Sequence, residues 1–78
     1  MKTKRIGSQD ELDQTSICYW KEEQTWFLYL PGAGIGALSK HTVVENSDGT
    51  ITVSPSILME GHLGKKHGYL ENGIWREA

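Results

Sequence analysis

The sequence predicts an all-β domain, mainly antiparallel: a small barrel-like or sandwich sheet of about five to seven short strands, preceded by a polar N-terminal arm. Three observations lead there. Apolar and aromatic residues cluster in short runs, one of which alternates strictly with polar residues. Strong turn signals, Asn46-Ser47-Asp48-Gly49 and Asn72-Gly73, punctuate these runs. No stretch sustains the 3.6-residue period of an amphipathic helix.

Residues 1–15 (MKTKRIGSQDELDQT) are polar, and Gly7 and Ser8 interrupt any early element. Ser8 ahead of Asp10, Glu11 and Leu12 suits the cap of a single helical turn, so a loosely held arm is expected, with the domain proper over residues 16–78. Ile17–Trp20 and Thr25–Leu30 are rich in β-favouring and aromatic residues and are joined by the polar Lys21–Gln24, a connection of hairpin length. Pro31-Gly32-Ala33-Gly34-Ile35-Gly36 reads as a turned loop and not as strand interior. His41–Glu45 reads as a strand, and Thr50–Ser54 alternates polar and β-branched residues as a half-buried strand does. Pro55 lacks a backbone donor, so the chain bends there or runs along an edge before Ser56–Glu60 resumes the strand. After a loop at Gly61–Lys66, His67–Glu71 and Ile74–Glu77 form a hairpin about Asn72-Gly73.

With 78 residues the chain forms one domain. A domain this small buries only about 60% of the surface its unfolded chain exposes and needs extra stabilisation. Cys18 is the single cysteine, so no disulfide forms within the chain, and it reads as a small buried apolar residue. A metal or self-association remains to supply the stability, and a homo-oligomer is expected. The net charge of -2 and pI near 5.8 argue against nucleic acid as a partner. The basic clusters Lys2-Thr3-Lys4-Arg5 and Lys65-Lys66 are short, solvated patches. No apolar run approaches the roughly 20 residues of a membrane helix, and no signal peptide opens the chain, so a cytoplasmic location and no membrane partner are expected.

Residues that invite chemistry have plainer readings beside them. The glycines at 32, 34 and 36 suggest a phosphate loop, but no helix and no Gly-Lys-Ser/Thr follow. His41, His62 and His67 raise the question of zinc, yet a full ligand set would need Cys18 or an acid such as Glu60, and no Cys-x-x-Cys pair anchors it. Ser54 or Ser56 with His67 and Glu60 or Glu71 can be drawn as a catalytic group, but nothing in their spacing enforces it. The aromatics are more informative. Alternation splits Thr25–Leu30 into Trp26, Leu28 and Leu30 on one face and Thr25, Phe27 and Tyr29 on the other. A strand apolar on both faces is covered on both, by the fold, a partner chain or a ligand.

Toward the C-terminus, Gly49-Thr50-x-Thr52-Val53-Ser54-Pro55-Ser56-Ile57 followed by His67-Gly-Tyr-Leu-x-Asn-Gly-x-Trp75 resembles a domain-of-unknown-function family of small β proteins. That family is frequent in bacteriophage genomes, and some members occur in bacterial ubiquitin-like conjugation operons. The resemblance covers roughly residues 26–76. Family members join a Pro-Ser-Ile/Leu step to a Cys-His pair opening the last hairpin, and many carry a Cys-rich knuckle upstream that looks like a zinc site. Here Pro31–Gly36 stands in place of the knuckle and Lys65-Lys66 in place of the cysteine, so only His67 carries over. The resemblance thus implies a lost metal site.

The expected function is a non-enzymatic binding module, phage-encoded as the resemblance implies, with no cofactor. It acts by sequestering a small signalling ligand or by blocking a host defence protein. Aromatic faces for stacking, backbone N–H groups and a histidine place the site at Gly32, Gly34, Gly36, Ser54, Ser56, His67, Tyr69 and Trp75. The alternatives are a zinc-binding structural or hydrolytic domain using His41, His62 and His67, and an accessory structural subunit of a larger assembly.

Overall fold

A computed structural model describes residues 1–61 and 64–78, and it is all-β. Eight strands run β1 (Lys4–Arg5), β2 (Cys18–Glu22), β3 (Thr25–Leu30), β4 (Gly34–Ala37), β5 (Thr42–Glu45), β6 (Ile51–Gly61), β7 (Gly64–Glu71) and β8 (Ile74–Glu77). They form two four-stranded sheets, ordered β1-β2-β3-β4 and β5-β6-β7-β8. Every pairing is antiparallel except β1 with β2.

The sheets face each other across one core. Ile17, Tyr19, Trp26, Leu28, Leu30 and Leu38 from the first pack against Ile51, Val53, Ile57, Leu70 and Trp75 from the second. Alternation selects these residues: in β3, Trp26, Leu28 and Leu30 are buried while Thr25, Phe27 and Tyr29 are half-buried. Gly68 faces inward because no side chain fits there: an added Cβ would lie 2.5 Å from the Arg76 carbonyl oxygen and 2.6 Å from the Trp75 ring.

Three elements differ from the sequence reading. The first is β7, which begins at Gly64 inside the expected Gly61–Lys66 loop because Lys65 and Lys66 pair with Glu60 and Met59 of β6. Among the described residues the strand count is eight, in part because the Gly-rich segment expected to be a loop supplies β4. In β4 the exposed positions are Ile35 and Ala37, and the inward ones are glycines. A Cβ on Gly36 would sit 3.0 Å from Met59 Cε, and one on Gly61 would strike the Ala33 carbonyl. These glycines let β4 and the end of β6 approach closely across the sandwich, a packing role that overrides the poor strand propensity of glycine.

The N-terminal arm is not loose. The expected single turn exists as a 3-10 turn at Gln9–Glu11, but the residues around it are tethered to both sheets. The Met1 and Trp75 backbones exchange hydrogen bonds of 3.0 and 2.8 Å, and Thr3 N–H donates to Gly73 O at 3.1 Å, along the edge of β8. Two residues on, Lys4 N–H donates to Ile17 O at 2.8 Å and Ile6 N–H to Tyr19 O at 3.0 Å, along the edge of β2. One extended segment thus joins an edge of each sheet and closes one side of the sandwich.

Beyond that closure the arm builds a second core. Ile6 and Leu12 cover Cys18, Trp20, Phe27 and Tyr29 on the outer face of the first sheet. Trp20 and Phe27 stack at 5.8 Å and 17°. Cys18 is fully buried, as the sequence indicates, with its Sγ 3.7 Å from Asp13 O. The two-faced apolar character of β3 is therefore satisfied within the chain. Asp13 shapes the return into β2: its carboxylate accepts from the Thr15 hydroxyl at 2.7 Å, the Thr15 N–H at 3.0 Å and the Ser16 hydroxyl at 3.0 Å. These bonds hold the carboxyl below its ordinary pKa of 3.8, Thr15 being the largest cause.

Truncating Ile6 to Ala is expected to cost about 2 to 4 kcal/mol in urea unfolding and to expose Cys18 to thiol reagents in the native state. A loosely held arm would give less than about 0.5 kcal/mol and no change in labelling. Because the Asp13 pKa is lower folded than unfolded, its stabilisation is present above 3.8 and is lost as pH falls below that value toward the depressed one. Asp13→Asn should flatten that acid limb in a pH series of melting temperatures.

Candidate functional site

The outer face of the second sheet gathers the chemistry. Alternation along β7 turns Gly68 and Leu70 into the core and leaves His67, Tyr69 and Glu71 outside, and β8 does the same with Trp75 inside and Arg76 outside. Between them β6 breaks register. Val53 pairs with Leu70 and Ile57 with Gly68, so β6 takes four steps where β7 takes two. The surplus of two residues falls within Ser54-Pro55-Ser56, which lies opposite Tyr69 alone and contains a cis Ser54–Pro55 peptide bond. Pro55 has no N–H to give a ladder, and a bulge is one of the few places in a sheet where it fits.

Two histidines converge on this bulge. His67 Nε2 lies 2.9 Å from Ser56 Oγ, and His41 Nε2 lies 3.2 Å from Ser56 O. A carbonyl only accepts, so His41 Nε2 must carry the hydrogen. Its Nδ1 is buried with no partner. Beside the bulge, the Arg76 guanidinium lies over the Tyr69 ring at 4.6 Å and bonds Glu71 at 2.9 Å. That ion pair is more than half exposed and contributes little to stability. A shallow groove of about 420 Å³ runs over Thr52, Ser54, Pro55, Ser56, Tyr69 and Arg76. Around it Val44, Leu58 and Ile74 stand 43–55% exposed, and Tyr69 37%.

Of the site residues read from the sequence, the structure brings together Ser54, Ser56, His67 and Tyr69. Gly32, Gly34 and Gly36 belong to the other sheet and its turn. Trp75 is core, 3% exposed, with its indole N–H donating to Glu77 at 3.2 Å. Sequence reasoning missed Arg76, Leu58 and Ile74; strict alternation carried outward from Trp75 and Ile57 would have found them.

The catalytic drawing meets the structure only in part. Ser56 and His67 are in hydrogen-bond reach, but among the described residues no carboxylate bonds the other ring nitrogen of His67, as an orienting acid would. Among the described residues no group of three or more His, Cys, Asp or Glu side chains is placed to hold a metal ion. His62, invoked for zinc, lies outside the described residues. No family model, curated protein or solved structure matches the chain.

Ser56→Ala is expected to leave the fold intact at a cost of about 1 kcal/mol or less, and to shift the nitrogen resonances of the His67 imidazole in NMR. Ser54→Ala should leave those resonances in place; equal effects from both variants would refute the Ser56–His67 pairing.

Proposed function

We propose that this chain is a binding module that acts by occupancy, engaging a partner protein through the outer face of the β5–β8 sheet. One observation carries the reading. The chain covers the outer face of its first sheet with its own arm and leaves that of the second bare. Val44, Leu58, Tyr69 and Ile74 are exposed there around a polar bulge. Apolar residues interspersed with serine hydroxyls, an arginine and a tyrosine match the make-up of a protein interface, where Tyr and Arg are enriched. A small ligand fits this face less well, because pockets for such ligands enclose most of their surface and the groove over Ser54–Ser56 is shallow.

The resemblance of residues 26–76 to a family frequent in phages supports a host protein as the partner, met in the cytoplasm. No helix among the described residues is long and apolar enough to cross a membrane. Sequestration of a small signalling ligand and self-association are the competing occupants.

The test is binding rebuilt from purified components. A protein captured by the wild type should bind the purified chain, and Leu58→Glu, at 55% exposure, should weaken it by at least about tenfold without lowering the melting temperature. Ile35→Glu, at 44% exposure on the first sheet, should leave affinity unchanged. Equal loss from both variants, a dimer dissociated by Leu58→Glu, or a small-molecule adduct in native mass spectrometry in place of a protein would overturn the assignment.

A further inference from the structure

A second concavity lies away from that face, where the chain passes from one sheet to the other. The end of β2 and its turn bring Lys21 and Gln24 to one wall, and β3 brings Thr25 and Trp26. The 38–41 crossover brings Ser39 and His41 to the other wall. The space is about 330 Å³ and, like the outer-face groove, open to solvent, so it has room for one polar or charged group of a ligand and does not enclose a whole molecule.

Its chemistry is one-sided. Lys21, Gln24, Thr25 and Ser39 offer an ammonium, an amide and two hydroxyls, and no carboxylate lines the cleft. Among the described residues Lys21 has no acidic partner within 4 Å; its ammonium instead sits 5.6 Å from the Trp26 ring centroid. A second, independent observation points to a missing partner. The one buried side-chain nitrogen or oxygen left without a hydrogen bond among the described residues is Nδ1 of His41, a lining residue whose Nε2 is already held by Ser56 O. A buried polar atom without a partner is costly and rare in a folded domain. A protonated imidazole would donate from Nδ1 to an oxyanion, and a singly protonated oxyanion would donate to it.

From this geometry we infer a binding site for the oxyanion of a small ligand, a phosphate or a carboxylate, held by Lys21, Thr25, Ser39 and His41. The site is separate from the protein-binding face and does not depend on it. His41 nevertheless links the two, because it grips the backbone of Ser56 while His67 grips the hydroxyl.

The experiment is an NMR titration of the full chain with inorganic phosphate, with ionic strength held constant by chloride, and a parallel titration with acetate. Saturable shifts confined to Lys21, Thr25, Ser39 and the His41 ring are expected, weakened by at least about tenfold in Lys21→Met, since a charge-assisted hydrogen bond is lost. Lys21 is exposed, and Ser39→Ala should weaken binding without touching the Lys21–Trp26 contact, so a folding defect in one variant cannot mimic the result. Tighter phosphate than acetate would point to a phosphorylated ligand, and the reverse to a carboxylic acid. Shifts that do not saturate, that spread to Lys65, Lys66 and Arg76, or that survive Lys21→Met would overturn the site. Leu58→Glu should leave the titration unchanged, which separates this site from the outer-face reading.

Discussion

The structure depends on an extended segment of six residues that pairs in two directions. Met1 and Thr3 bond to the edge of β8, and Lys4 and Ile6 bond to the edge of β2. Without it the two sheets would meet only through side chains and the close approach of β4 to β6. With it, hydrogen bonding runs from β4 through β3, β2, the arm, β8, β7 and β6 to β5. The same segment pairs antiparallel with β8 at Lys2–Ile74 and parallel with β2 at Lys4–Cys18 and Arg5–Tyr19. Arg5 adds a tie of its own, donating to Glu45 at 2.9 Å and to Gly49 O at 2.8 Å while lying 5.1 Å from the Trp26 ring centroid.

This closure also answers how so small a domain is held together. A chain of 78 residues with one cysteine has no disulfide to constrain it, and short domains commonly rely on metal or oligomerisation. Here the arm folds back to give a second apolar cluster, Ile6, Cys18 and Trp20 with Leu12, Phe27 and Tyr29. That turns both faces of β2 and β3 into buried surface. Stability drawn from the arm leaves the second sheet free of any structural duty on its outer face.

Much of the fold was legible in the sequence because its signals are local. Asn72-Gly73 adopts positive φ at both positions, 50° and 74°, as the turn chemistry requires, and alternation grouped the three buried residues of β3 on one face without saying which face was inward. What was not legible depends on distant partners. Nothing near Lys4 or Ile6 announces that their neighbours are Cys18 and Tyr19, and polar composition argued for a free arm. The glycines of β4 read as a loop because the packing reason for Gly36 is Met59, more than twenty residues away, while Gly34 meets no neighbour and serves a positive φ of 97°. The serines and His67 were legible as candidates, yet their convergence required the two-residue surplus in β6, which Pro55 hints at but does not specify.

The bulge is where the fold and the two proposed sites meet. A regular β6 continuing from the Val53–Leu70 pair would set Pro55 opposite Gly68 on the inner face and Ile57 opposite Lys66, since two residues are a full period of the strand. By taking up two extra residues the strand pairs the inward Ile57 with Gly68 and leaves Pro55 exposed within the Ser54-Pro55-Ser56 bulge. The hydroxyl and carbonyl of Ser56 then become available to His67 on one strand and His41 at the start of another. A ligand that repositions the His41 ring must act on the Ser56 carbonyl, and a partner that presses on the groove must act on the Ser56 hydroxyl. Coupling between two sites requires an element that both bias, and a bulge held by two imidazoles on opposite sides of one residue has that form.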